Sequence, residues 1–76
     1  MFSYSRHAKN NLRLYKLQAA EVEGLLEHPY TVGPNKQAGK LEAWGRVADG
    51  RWLVVVYVVE RGTYVIITIM TKDGPP

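Results

Sequence analysis

The chain has 76 residues and a formal net charge of +3, a length that suits one domain with one core and excludes a multidomain assembly. It has no cysteine and two histidines, which excludes disulfide staples and thiolate metal sites, so neither metal nor other cofactor is expected. A domain this small buries a modest share of its surface, so its core must hold alone or a partner must help.

The opening "MFSY" has aromatics at alternate positions, Phe2 and Tyr4, and predicts a short strand. Ser5 is placed to cap a helix, its hydroxyl accepting an amide that the first turn leaves unpaired. In "RHAKNNLRLY", Ala8, Leu12 and Tyr15 fall on one helical face. The cations Arg6, Lys9, Arg13 and Lys16 lie elsewhere, and residues 1–20 carry no acid. This first helix therefore presents a basic surface, which suits an anionic partner or is simply solvated. "KLQ" interrupts. "QAAEVEGLLEH" predicts a second helix with Ala19, Val22, Leu25 and Leu26 as its apolar stripe. Glu21 sits early, at the positive end of the helix dipole. Gly24 costs about 1 kcal/mol relative to alanine and is read as a point of close packing. Pro29 stops the helix at His28, whose ring is read as covering the last carbonyls.

Pro29–Gly39, with its prolines, glycines and asparagine, reads as a loop. Three strands follow. In "KLEAWGRVA", Leu41, Ala43, Gly45 and Val47 alternate with Glu42, Trp44 and Arg46. "DGR" marks a tight turn. "WLVVVYVVE" is apolar on both faces and reads as the central strand. "ERG" makes the next turn. "TYVIITIMT" places Val65, Ile67 and Ile69 on one face and Tyr64, Ile66, Thr68 and Met70 on the other, with Lys72 continuing the second face. Residues 72–76 read as a frayed tail.

The expected fold is therefore a single α+β domain over 1–76: a short strand, two helices, then a three-stranded antiparallel meander with the helices on one sheet face. The other face is expected to display Glu42, Trp44, Arg46, Tyr64, Thr68 and Lys72. An apolar, aromatic face rimmed by cations exceeds what a small monomer needs, and suggests a binding surface or a dimer interface. The opening residues lack the apolar run of a secretory signal, and the longest apolar stretch, Trp52–Val59, falls short of the roughly 20 residues needed to span a bilayer. No membrane partner is expected, and the expected compartment is the cytoplasm.

Ser5, His7 and Ala8, then Leu17, then Val22, Leu25, Leu26 and Pro29, then Gly45, Val47, Gly50 and the runs "LVVVYVV" and "VIITIMT" carry a resemblance. Their order resembles the RelE/ParE superfamily of bacterial toxins, in particular a branch of small uncharacterised proteins that open with Ser-x-His-Ala. Relatives often carry arginine where Asn11 and Tyr15 stand, and Ser or Thr where Gln18 starts the second helix. The resemblance implies a RelE-like fold and a toxin-like protein held by an antitoxin-like partner. It implies metal-independent endoribonuclease action or, in other members, poisoning of DNA gyrase. Some members of the fold are inactive, so a non-catalytic protein-binding or dimerisation module is the alternative.

Metal-free RNA cleavage needs a base for the 2′-hydroxyl, a cation for the crowded phosphate and an acid for the leaving oxygen. Histidine suits acid–base work near neutral pH, and arginine's planar fork suits the phosphate. The candidate catalytic residues are accordingly Arg46, His7, Tyr64 and Lys72, and the candidate RNA contacts are Arg6, Lys9, Arg13, Trp44 and Arg46. Arg51 and Arg61 fall at turns and are read as mostly solvated. Trp44 is able to stack a base, worth about 1–3 kcal/mol, although Trp44 and Tyr64 could equally form an interface core. For His7, in a first helical turn where the dipole disfavours a charged ring, the competing reading is a neutral ring hydrogen-bonded to fix the helix on the sheet.

Overall fold

The computed structural model describes residues Met1–Pro76. Its elements are β1 (Phe2–Tyr4), α1 (Arg6–Leu14), α2 (Ala19–Glu27), β2 (Thr31–Pro34), β3 (Leu41–Arg46), β4 (Trp52–Glu60) and β5 (Thr63–Lys72). The strands form one sheet in the order β1-β5-β4-β3-β2. The α+β class, the two helices and the central place of β4 match expectation. The three-stranded meander does not: the sheet has five strands and is mixed, since β1 runs parallel to β5 while the other pairs are antiparallel. It is thus not the RelE-like layout that the resemblance implied. The extra strand was hidden in the expected loop, where "TVGP" pairs with Leu41–Trp44. Proline and glycine mask it, and both are tolerated on an edge strand, as β2 is.

Ser5 joins the sheet to the first helix. Its hydroxyl accepts the Ala8 amide at 3.0 Å and donates to the Ile67 carbonyl at 2.8 Å, so the cap of α1 is also a bond to β5. α1 closes in a Schellman motif: Lys16, at φ 54°, donates to the Arg13 carbonyl and Leu17 to that of Leu12. That left-handed residue turns the chain without glycine or proline. At α2, the Glu21 carboxylate accepts the Gln18 amide at 3.1 Å, which satisfies a donor at the helix start.

Both helices pack on one sheet face, and Ala8, Leu17, Val22, Leu25 and Leu26 share a core with Ala43, Leu53, Val55, Tyr57, Ile66 and Ile69. The glycine that permits close packing is Gly45, not Gly24. A Cβ at Gly45 would overlap Leu25 Cγ and stand 2.8 Å from its Cδ1, whereas nothing lies within 4 Å of one at Gly24.

Between Val56 and Tyr57 the β4–β5 register slips: Val56 faces Thr68 but Tyr57 faces Ile66. Ile67 is the extra residue of a β-bulge. A bulge exchanges the faces of everything beyond it, so Tyr64 and Ile66 turn toward the helices while Thr68, Met70 and Lys72 stay on the open face. Ile66 is fully buried in the core, and Tyr64 packs against Tyr57 and Phe2 at 5.4 Å each. The expected placement of both on the open face is corrected accordingly.

Beyond Tyr4 the edge of β5 has no strand beside it, and α1 covers it instead. Asn11, 7% exposed, accepts the Ile69 amide at 3.0 Å and the Thr68 hydroxyl at 3.1 Å through one side-chain oxygen. A buried polar side chain here satisfies a backbone donor that would otherwise be stranded. Tyr4 ties β1 to α2, its hydroxyl donating to Glu23 at 2.8 Å.

Candidate functional site

The pairing registers build the open face as rows running across β3, β4 and β5. Arg46, Trp52 and Lys72 form one row. Trp44, Val54 and Met70 form the next, and Glu42, Val56 and Thr68 the third. Consecutive rows are two residues apart, roughly 6.6–6.8 Å along the strand. Trp44 and Trp52 are diagonal neighbours on adjacent strands, a relation that brings large side chains within reach of one another. Val54 and Val56 form the floor at 2% and 3% exposure, although no helix covers them. The side chains of the outer strands and the β2–β3 loop cover them.

That loop reaches over the sheet. Asn35 accepts the Gln37 amide at 3.0 Å through its own side chain, an Asx-type turn, and donates to Glu42 at 2.9 Å. Two shallow clefts flank the loop and share Asn35, Lys36 and Met70. One, about 410 Å³, adds Gln37, Val56 and Thr68. The other, about 320 Å³, adds Glu42, Trp44, Val54 and Lys72. Clefts from about 300 Å³ accept small-molecule-sized groups.

In the second cleft the Trp44 indole N–H donates to Glu42 at 2.8 Å, and the Lys72 ammonium stands 6.0 Å from the ring centroid, at the edge of cation–π range. The two glutamate oxygens are thereby each held by a different donor, Asn35 and Trp44. Those bonds, Trp44's first and Asn35's second, with Lys72 and Lys36 nearby, hold the Glu42 carboxyl below the usual carboxylate range. Glu42 is therefore an ionised acid in a cationic surround. At the end of the sheet, Arg46 donates to the Gly50 carbonyl at 3.1 Å. Trp52 meets Tyr30 edge-on, with centroids 5.1 Å apart and planes at 85°.

The residues expected to act do not all meet here. Arg46, Lys72 and Trp44 share the open face. Tyr64 lies on the helix side in the aromatic cluster of Phe2 and Tyr57, because the bulge reverses its face. Burial and the nearby Tyr64 push the Tyr57 hydroxyl up. His7 is exposed in the first turn of α1 and makes no side-chain hydrogen bond within the chain; Ser5 and Asn11 do the anchoring expected of it. Arg6, Lys9 and Arg13 are exposed on α1, across the sheet from Trp44, since Ala8 of that helix packs with the residues of the other face. His28 caps α2 through its backbone amide, bonded to Gly24.

Sequence reasoning missed Asn35, Lys36 and Trp52 as members of the face, and the role of Glu42. The alternation that put Trp44 outward also put Glu42 outward, and its spacing of two from an indole donor was a readable signal. Asn35 and Lys36 carried none, because their placement depends on the unrecognised strand β2. No group of three or more His, Cys, Asp or Glu side chains converges to hold a metal, and no helix is long and apolar enough to cross a membrane. No protein-family model matches the chain significantly, and neither does any curated protein or solved structure. The RelE/ParE resemblance thus rests on the motif residues alone.

Proposed function

We propose that this protein is a small toxin-like RNA-binding protein, and that its open sheet face holds single-stranded RNA. The observation that carries the reading is the row Arg46–Trp52–Lys72 set beside Trp44, with the Lys72 ammonium over the indole. Sequence-tolerant binding of single strands combines cations for the phosphates with aromatic rings for the bases, and this face offers both over an apolar floor. Cations on α1 add long-range attraction from the other side of the sheet. Of the catalytic set, His7 and Tyr64 lie away from Arg46 and Lys72, so binding rather than cleavage is the activity this geometry favours.

Fluorescence titration of the tryptophans with a short single-stranded RNA tests the reading. Binding should weaken with salt, and the Arg46→Ala/Lys72→Ala double variant should reduce the salt slope by about 1.4, from about 0.7 per lost phosphate contact. Trp44→Ala should cost about 1–3 kcal/mol of affinity, and RNA recovered from the mixture should be intact. Absence of salt-dependent binding would defeat the proposal. Cut RNA ending in a cyclic phosphate would restore the nuclease reading.

A second observation favours a protein-binding or dimerising role for the helix-bearing side. Val32, Leu41 and Val59 are 45%, 36% and 51% exposed, and register puts them on the helix-bearing face. An antitoxin-like partner or a second copy covering them would leave the RNA face free. Light scattering separates a dimer from a monomer, and a monomer with no partner counts against this role.

A further inference from the structure

The open face has one feature that general RNA binding does not require. Glu42 is an ionised acid on a surface whose other charged groups are cations, set among aromatic and apolar side chains. Phosphate is repelled there, so the carboxylate fits a different part of the ligand. Each of its oxygens receives one bond, from Asn35 Nδ2 at 2.9 Å and from Trp44 Nε1 at 2.8 Å. These fix the carboxylate's orientation and leave each oxygen a second lone pair. The cleft it lines, about 320 Å³ with Trp44, Val54, Met70, Lys36 and Lys72 around it, has an apolar floor and a ring wall suited to a planar base.

A fixed carboxylate selects among bases by their Watson–Crick edges. Guanine alone presents two adjacent donors there, N1–H and the 2-amino group, which match two carboxylate oxygens. Adenine and cytosine each offer one amino group beside a ring-nitrogen acceptor that the carboxylate repels. Uracil offers one N–H between two carbonyls. Unstacked bases in single-stranded RNA are recognised by such edge contacts combined with stacking on aromatic side chains. Lys36 and Lys72, which also line the cleft, are available to the flanking phosphates.

We propose that Glu42 and Trp44 form a guanine-reading subsite, so that the RNA face prefers a strand with an unpaired guanine. This rests on the RNA-binding reading and adds base selectivity to it. The carboxylate supplies the specificity and the indole the stack, while Asn35 is a positioning residue that holds the carboxylate still.

The test uses uridine heptamers whose central base is uracil, guanine, adenine, cytosine or hypoxanthine, titrated against the full chain and against Glu42→Gln. Hypoxanthine keeps N1–H but lacks the 2-amino donor. The guanine strand should bind at least tenfold tighter than the adenine strand, a ratio equal to about 1.4 kcal/mol, with hypoxanthine between them. Glu42→Gln should erase the preference, and circular dichroism should show it folded. Asn35→Ala should lower the preference without raising all-uracil affinity. Guanosine monophosphate alone should bind far more weakly than the strand; binding as tight as the strand's would make this a free-nucleotide pocket and overturn the RNA assignment. Equal affinity for all heptamers overturns the subsite and leaves RNA binding standing. No binding of any heptamer overturns both.

Discussion

Replacing Asn11 with alanine tests how the edge of β5 is closed. Asn11 lies within α1 and is 7% exposed, and its single side-chain oxygen takes both the Ile69 amide and the Thr68 hydroxyl. Alanine strands the Ile69 amide, a buried donor with no alternative, at about 1–3 kcal/mol. The Thr68 hydroxyl is half-buried and able to turn toward water, so its loss adds little. Against this, alanine is the better helix former and returns up to about 0.7 kcal/mol. The net loss should be about 0.3–2.3 kcal/mol, a fall in Tm of roughly 1–18 °C for a domain of this size. Asn11→Leu fills the space without an acceptor and should be at least as damaging, and Thr68→Val should cost less than either. Urea melts and exchange of the Ile69 amide measure both halves of the reasoning. If the leucine variant matches wild type, or the Ile69 amide stays as protected in the alanine variant, the hydrogen bonds are not what close the edge.

Two further perturbations probe the packing beneath the site. Gly45→Ala drives a methyl group into Leu25 and should cost about 1–3 kcal/mol. Leu25→Ala alone should cost about 2–5 kcal/mol, and the double variant should lose less than the sum, because each change makes room for the other; strict additivity in urea melts would refute the close approach. Tyr4→Phe removes the bond to Glu23 and should cost about 1 kcal/mol at neutral pH. Burial first, and the Glu23 carboxylate second, raise the folded pKa of Tyr4 above the unfolded value of about 10. That contribution is therefore full below pH 10 and lost as pH rises beyond it. The phenylalanine variant should show a shallower alkaline decline, with Tyr57, also raised, supplying the remainder, and identical alkaline slopes would count against the linkage.

Local chemistry made much of the chain legible. Ser5 before a run with Ala8 and Leu12 at helical spacing marked α1, and its hydroxyl does cap the helix. Asp49-Gly50 and Arg61-Gly62 marked the two hairpins, and the positive φ values at Gly50, Arg61 and Gly62 are what such tight turns require. The apolar run of β4 marked the sheet's centre because a central strand covered on both faces has no polar alternation to show. β2 was illegible because Gly33 and Pro34 are turn residues by any local rule. Its strand conformation comes from pairing with β3, a tertiary contact that local propensity does not carry.

The faces were harder to read than the elements, and for one reason. Strand alternation has a period of two, so a single inserted residue exchanges every later assignment. Nothing in "TYVIITIMT" says that Ile67 is extra. The structural cause lies far away in sequence: β1 pairs with β5 only from Tyr64 to Ile66, and at Ile67 the carbonyl turns to the Ser5 hydroxyl. The slip occurs where the neighbouring strand gives way to a helix, and it separates two kinds of aromatic residue. Tyr64 joins the core side, where it packs, while Trp44 and Trp52 stay with Lys72 and Arg46, where a ligand is able to reach them. The face that matters for function is thus set by where a three-residue edge strand ends, and the Asn11 bonds that seal the remaining edge hold β5 with Lys72 in register beside Trp52.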